Sequence, residues 1–136
     1  MREMEHVSVA IASEQDGEEA CEIDYERGPP AVVRLHSRHF GEVTVTDEDM
    51  FGALCKLRIH LEKDGYLLLC NAARKDAYPS RMSRQMAGGR KVYLLKPGVQ
   101  GRREDLVDIF DAAPLDQVGS VAEQRLMFEA WLRSLK

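Results

Sequence analysis

Cys70 is the side chain in this sequence most suited to nucleophilic chemistry, because it ends the apolar run Tyr66-Leu67-Leu68-Leu69-Cys70. A nucleophilic thiol needs a base and a third group that orients the base. Three bases are available, but no recognisable spacing connects them to the thiol: His36, His39 and His60. The three cysteines are odd in number and far apart, which predicts buried free thiols. A Cys70-dependent enzyme is the alternative.

Two other patterns share residue types with ligand sites. His36 and His39 are three residues apart, a spacing that suits a metal on a helix but points the side chains to opposite faces of a strand. Gly88-Gly89-Arg90-Lys91 has the residue types of a phosphate loop. Its glycines follow a predicted helix and precede a predicted strand, the reverse of a phosphate-binding order. We therefore predict a helix stop at the glycines, no metal site and no cofactor.

The segment 74–91 concentrates basic residues around one aromatic ring. Basic side chains beside a stackable ring can bind single-stranded nucleic acid. A sequence pI of 5.6 argues against a dedicated nucleic-acid-binding protein, so this function is an alternative. A solvated or internally paired face is the other interpretation. The candidate binding residues of this segment are Arg74, Lys75, Tyr78, Arg81 and Arg84.

The segment 14–26 concentrates acidic residues, in contrast to the basic segment 74–91. Carboxylates two residues apart on a strand point the same way, so Glu22, Asp24 and Glu26 form a row with a spacing of about 7 Å. The row is either a solvated strand face or a recognition surface for a basic protein. Carboxylates at 104–111 alternate with apolar residues and are expected at exposed strand positions. The predicted partner-binding residues are Glu18, Glu19, Glu22, Asp24 and Glu26.

The whole chain suits one domain, residues 1–136, with 44% hydrophobic and 31% charged residues. Its net charge of −4 is unevenly distributed, with −8 in residues 1–64 and +4 in residues 65–136. This asymmetry bears on partners and association rates. The polar, acidic first residues lack the apolar stretch of a secretory signal, and no apolar run is long enough for a membrane span. The sequence therefore predicts a cytoplasmic protein.

Strands dominate the first third of the chain. Apolar residues alternate with polar ones from residue 7 to 11 and from 21 to 26, and Asp16-Gly17 supplies the turn between them. A third strand over 31–40 and a partner over 42–45 complete an antiparallel meander. Further strands are predicted over 66–70, fully buried and central, and over 91–96 and 106–110.

Two helices are predicted to cover the sheet. The central helix, about 46–62, starts at Thr46 and has an apolar stripe, and Gly65 follows its end. The C-terminal helix, about 120–135, opens with a capping box at Ser120 and Glu123. The predicted fold is α+β, with a mostly antiparallel sheet packed by these helices. The expected core includes Leu54, Leu57, Leu67, Leu69, Phe128, Trp131 and Leu132.

Three segments in the second half carry a resemblance. They are Leu69-Cys70-Asn71-Ala72-Ala73-Arg74-Lys75-Asp76-Ala77-Tyr78-Pro79-Ser80-Arg81-Met82-Ser83, Gly88-Gly89-Arg90-Lys91-Val92-Tyr93 and Leu106-Val107-Asp108-Ile109-Phe110-Asp111. Residues 65–136 resemble small bacterial immunity proteins of polymorphic-toxin and contact-dependent growth inhibition systems. The resemblance implies a non-catalytic cytoplasmic inhibitor of one cognate toxin, and no catalytic residue is carried over from it. Since nuclease active sites are basic, the acidic stretch favours a nuclease as that toxin.

Overall fold

A computed structural model describes residues 4–86 and 88–136. Its main layer is a five-stranded antiparallel sheet in the order β4-β3-β2-β1-β5. The strands are β1 (Glu5–Ser13), β2 (Gly17–Glu26), β3 (Ala31–Ser37), β4 (Gly41–Asp47) and β5 (Leu67–Leu68). No helix in the described part of the chain has the length and apolar character needed to span a membrane. The predicted α+β class with a mostly antiparallel sheet is confirmed.

The apolar and polar residues that alternate in the sequence lie on opposite faces of this sheet. Cys21, Ile23 and Tyr25 are buried on the inner face, while the residues between them lie on the outer face. Gly17 joins β1 to β2 with a φ of +71°, a conformation that favours glycine. The third strand stops at Ser37, before the predicted 40, because residues 38–40 form the turn into β4.

The helix α1 (Met50–Glu62) packs against the inner face. Its N-cap is Asp49, whose Oδ1 accepts a hydrogen bond from the amide of Gly52 at 2.7 Å. The predicted start at Thr46 is wrong, because Thr46 lies in β4 and pairs with Val32. The predicted apolar stripe is buried along its whole length: Met50, Phe51, Leu54, Leu57 and Leu61.

The predicted central strand over 66–70 is instead the short edge strand β5. It pairs only with β1, through Leu67 and Leu68. The amide of Leu69 donates to the carbonyl of Ala10, and the chain then turns into the 3-10 helix Asn71–Ala73. Leu68, Leu69 and Cys70 are buried as predicted. The segment 109–113 covers them, on the side where a central strand would have a second neighbouring strand.

A second, three-stranded sheet is formed by β6 (Ala77–Tyr78), β7 (Lys91–Leu94) and β8 (Leu106–Asp108). The strand β7 ends at Leu94 and not at the predicted 96, because Lys96 instead forms a bridge with Val99. The strand β8 ends at Asp108 and not at the predicted 110, because Ile109 and Phe110 leave the strand and enter the core. Between β6 and β7 lies α2 (Arg81–Met86), and the predicted stop follows it, with positive φ at Gly88 and Gly89. Two further 3-10 helices span Arg103–Asp105 and Leu115–Gln117.

The C-terminal helix α3 (Val121–Ser134) begins with the predicted capping box, in which Ser120 and Glu123 exchange hydrogen bonds. Within α3, which the structure describes completely, only Gln124 is buried. The prediction of a buried apolar face is therefore wrong for Phe128 and Trp131, which are half-buried, and for Leu132, which is 45% exposed. The helix packs mainly on β6 at the edge of the small sheet and on α1, and its apolar side is only partly covered. Leu67 is also half-buried, whereas Leu54, Leu57 and Leu69 are in the core as predicted.

A buried polar network fastens α3 to the rest of the fold. Arg58 of α1 is 1% exposed and donates to the Gln124 side chain at 2.6 Å and to the carbonyls of Ala72 and Gly119 at 3.0 Å. Gln124 in turn donates to the carbonyls of Ala72, Arg74 and Ala77 at 2.8–2.9 Å. The Nε of Arg58 has no hydrogen-bond partner among the described residues.

Candidate functional site

The outer face of β1–β4 carries a cluster of carboxylates and imidazoles, which we call the acidic face. It comprises side chains from four adjacent strands that are 31–60% exposed: His6, Glu22, Asp24, His36 and Glu42. One cation, Arg34, lies on the same face opposite Asp24, with its Nε 3.6 Å from Glu42 Oε1. Strand register aligns them, because His6 lies opposite Asp24, and Glu22 lies opposite His36, which lies opposite Glu42. The sheet thereby fixes the spacing of these groups before any partner binds.

Asp24 lies at the centre of the acidic face and contacts both histidines. Its Oδ1 is 2.7 Å from His6 Nδ1, and its Oδ2 is 3.0 Å from His36 Nε2. Hydrogen bonding from His6, followed by that from His36, lowers the pKa of Asp24. Hydrogen bonding to Asp24, followed by that to Glu22, raises the pKa of His6 above its usual 6.5. Protonation of His6 therefore reduces the negative charge of this face at a higher pH than protonation of an unperturbed imidazole would.

Glu22 is held by a hydroxyl as well as by an imidazole. Ser8 donates to Glu22 Oε2 at 2.6 Å, which lowers the pKa of the carboxyl, and His6 Nε2 lies 3.4 Å from Glu22 Oε1. Glu26 occupies the same outer face, opposite Val32. The predicted row of three carboxylates on one side of β2 is thus present in the fold.

The two remaining residues predicted for this surface lie elsewhere. Glu19 lies on the other side of β2 from Glu22 and Asp24. It accepts hydrogen bonds from the amides of Arg38 at 2.6 Å and His39 at 3.3 Å. Burial raises the pKa of Glu19, but hydrogen bonds from the Arg38 amide, from the Ser37 and Cys21 side chains and from the His39 amide together outweigh burial, so the pKa is lowered. Glu19 therefore stabilises the β3–β4 turn. Glu18 is exposed at the start of β2 and lines a separate cleft.

That cleft adjoins the acidic face at the free part of the β1 edge. Its volume is about 570 Å³, and Ser8, Glu18, Phe110, Pro114 and Leu115 are among the residues that line it. Its floor is apolar, while Glu18 supplies a carboxylate. Such a cleft suits the long stem and charged end of an arginine or lysine.

The candidate binding residues of the 74–91 segment do not form one surface. Arg74 makes two hydrogen bonds of 2.8 Å to Asp76, and Arg84 makes bonds of 2.8 and 3.3 Å to Asp49 at the start of α1. Lys75 lies across the small sheet in a cleft with Trp131. The segment is thus largely paired internally, one of the two interpretations that the sequence left open.

Two of the candidate binding residues of the 74–91 segment, Tyr78 and Arg81, lie together at a cleft beside α3. The Tyr78 ring is stacked on Phe128 at 3.9 Å between centroids and meets Phe51 edge-on at 5.2 Å. Phe128 therefore occupies one face of Tyr78, and that face is unavailable to a nucleobase. The geometry gives no specific support to the nucleic-acid alternative.

Cys70 has surroundings that disfavour a nucleophile. It is fully buried, and burial raises the pKa of its thiol to about 11, so the thiol is protonated at neutral pH. Two of the candidate bases are engaged elsewhere, His36 with Asp24 and His39 with Asp64. Within residues 4–86 and 88–136, no group of three or more His, Cys, Asp or Glu side chains could hold a metal ion.

Sequence reasoning missed three residues that organise the structure. His6 follows the strand alternation of β1 and shares a face with Ser8, so its position opposite an acidic strand was the available signal. Arg58 lies within the apolar stripe of α1, four residues after Leu54. Gln124 similarly precedes Phe128 by four residues. A polar residue within an apolar helical stripe indicates a buried hydrogen-bond network.

No protein-family model matches this sequence, and a search of curated proteins finds no match.

Proposed function

We propose that this protein is a non-catalytic, immunity-type inhibitor that binds a cognate bacterial toxin domain through the acidic face. The observation that carries the proposal is a set of exposed carboxylates on one sheet face: Glu22 and Asp24 on β2, and Glu42 on β4, with His36 of β3 between Glu22 and Glu42. The resemblance of residues 65–136 to immunity proteins adds support. The proposed toxin is a nuclease, because its active site must be basic in order to bind phosphates.

Rigidity of the acidic face favours this role. Ser8 and the two histidines already hold Glu22 and Asp24 in place, so little side-chain freedom is lost when a partner binds. A lysine or arginine of the toxin would displace or join the imidazoles at these carboxylates. The acidic face would then occupy the cationic groups that otherwise bind the nucleic-acid backbone.

The adjoining cleft gives the proposed interface an apolar part. Phe110, Pro114 and Leu115 can pack against an aliphatic stem, and Glu18 can pair with the charge at its end. Leu115 is 50% exposed, so partner binding would remove apolar surface from water there. This arrangement gives Glu18 a role in binding and leaves Glu19 with a structural role.

The experiment is a kinetic binding assay with the toxin domain encoded by the neighbouring reading frame. In Glu22→Lys and Asp24→Lys, the association rate at low salt should fall by roughly 10–10³-fold, because electrostatic steering is reversed. The salt dependence of association should also weaken. The matched control is Glu104→Lys, an equal change of charge at a carboxylate that is 70% exposed outside the acidic face.

Two results would count against the proposal. An unchanged association rate in both variants would exclude the acidic face as the contact while leaving the inhibitor role intact. Failure of the wild-type protein to bind or inhibit any toxin domain encoded beside it would exclude the inhibitor role itself.

A further inference from the structure

A second candidate binding site lies between the start of α2, the small sheet and α3. It is a cleft of about 330 Å³ with four aromatic side chains in its walls, and we call it the aromatic cleft. The residues that define it are Tyr78, Arg81, Tyr93, Phe128, Trp131 and Leu132. It involves none of the strands of the acidic face, so it does not depend on the proposed function.

The rings of the aromatic cleft are fixed in position by their neighbours. Phe128 stacks on Tyr78 at 3.9 Å and lies 6.0 Å from Trp131, with interplanar angles of 10° and 24°. Trp131 Nε1 donates to the carbonyl of Val99 at 2.9 Å. Gly101 approaches Tyr93 so closely that an added Cβ would lie 2.9 Å from the ring. The cleft is therefore preformed, which lowers the entropic cost of binding.

Apolar surface is exposed around this cleft. Leu132 lines it and is 45% exposed, and Met82, which follows Arg81 in the chain, is 69% exposed. Aromatic residues, Met and Arg are the types enriched in the centres of protein interfaces. The composition of this surface thus matches a site for an apolar side chain of a partner.

The charge around the aromatic cleft is positive. Arg81 has no ion-pair partner among residues 4–86 and 88–136, and none of the described lining residues is acidic. Arg125 donates from Nη1 to the Tyr78 hydroxyl at 3.0 Å, but its Nε also lies 3.4 Å from Glu129 Oε2. Arg102 and Arg103 follow Gly101, which lines the cleft, and Glu104 and Asp105 follow them, so this segment adds no net charge. The unpaired charge of Arg81 is therefore the group that complements an acidic ligand.

We propose that the aromatic cleft binds an acidic peptide segment of a protein partner, with a phenylalanine or leucine of that segment inserted between Trp131, Phe128 and Leu132. Arg81 pairs with the flanking carboxylates. A protein ligand is favoured over single-stranded nucleic acid because Arg81 is the one cation among the described residues that line the cleft, whereas a nucleic-acid backbone is bound by a row of cations. Phe128 also stacks on one face of Tyr78, which leaves that face unavailable to a base.

The test uses the emission of Trp131, the single tryptophan of the chain. The probe is a short synthetic peptide of alternating Asp or Glu with Phe and Leu, without Trp or Tyr. We expect a saturable emission change with a dissociation constant below about 1 mM that weakens as salt is added. A peptide with Ser in place of Phe and Leu, and another with Lys in place of the acids, should bind much more weakly.

Two variants locate the binding site, and both change exposed residues. Arg81→Glu and Leu132→Ser should each weaken binding by at least about fivefold. Leu126→Ser is the matched control, since Leu126 is 65% exposed on the same helix and does not line the aromatic cleft. Its affinity should equal that of the wild type.

Three outcomes would overturn the proposal. They are the absence of saturable binding of the acidic peptide, equal binding of the lysine peptide, and equal weakening in Leu126→Ser and Leu132→Ser. A single-stranded oligonucleotide that binds more tightly than the acidic peptide, with the same loss in Arg81→Glu, would assign the cleft to nucleic acid instead.

Discussion

Arg58 donates a 2.6 Å hydrogen bond to Gln124 inside the fold, although the two residues are 66 positions apart in the chain. The bond joins α1 to α3, and the backbone carbonyls of Ala72 and Gly119 accept the remaining hydrogen bonds of the guanidinium. Gln124 is the one buried side chain of α3, so this network is the buried polar attachment of the helix that carries Phe128 and Trp131 of the aromatic cleft.

We expect Gln124→Leu to lower the free energy of unfolding by about 3–5 kcal/mol, since it leaves a buried guanidinium and several carbonyls without partners. Adding Arg58→Met should cost less than the sum of the two single changes, with a coupling of about 0.5–3 kcal/mol. Urea unfolding measures both quantities. Arg133→Ala, an exposed change on α3, should stay within about 0.5 kcal/mol of the wild type. Strict additivity would mean that the two side chains do not interact.

The N-cap of α1 can be identified by two substitutions. Asp49→Ala should destabilise the protein by about 1–2 kcal/mol, because it removes the bond to the Gly52 amide and the partner of Arg84. Thr46→Ala should change the stability by less than about 0.5 kcal/mol, since Thr46 is an exposed strand residue. Thermal or urea unfolding of the pair gives the comparison. A larger loss in Thr46→Ala would restore the helix start predicted from sequence.

His6 should titrate above its usual pKa of 6.5, because Asp24 and Glu22 stabilise its protonated form. Its contribution to stability is present below pH 6.5 and is lost as the pH rises through the raised pKa in the folded state. The contribution of Asp24 is fully present above pH 3.8 and is lost as the pH falls through its lowered pKa. The contact between His6 and Asp24 therefore stabilises the sheet most between pH 3.8 and pH 6.5.

NMR titration of the His6 ring measures this effect directly. In Asp24→Asn the pKa of His6 should fall towards 6.5, whereas Asp64→Asn, which alters the partner of His39, should leave it unchanged. An identical His6 pKa in wild type and Asp24→Asn would show that the contact does not persist in solution.

Cys70 should react with a thiol reagent only when the protein unfolds, because its side chain is buried and its pKa is raised to about 11. Peptide-level mass spectrometry after iodoacetamide treatment at neutral pH resolves the three cysteines. The same treatment in guanidinium chloride, where all three should react, is the control. Rapid modification of Cys70 in the native protein would favour the alternative of a Cys70-dependent enzyme.

Local periodicity was enough to predict much of the fold. The alternation in β1 and β2, the stripe of α1 and the Ser120 capping box each depend on residues close together in the chain, and each is present in the structure. The row formed by Glu22, Asp24 and Glu26 follows from the same alternation. These features could be predicted because hydrogen bonding and side-chain direction within one element repeat with a fixed period.

Which layer covers each apolar face was decided only by the tertiary structure. Periodicity marks a face as apolar without identifying its neighbour. It therefore predicts a central position for β5, which lies at the edge of the sheet, and a buried apolar face for α3, which is half-exposed. For the same reason, the sequence could not reveal that Asp24 contacts His6 and His36, or that Arg58 meets Gln124. Those contacts join residues 12 to 66 positions apart, and they form only when strand register and helix docking bring distant segments together.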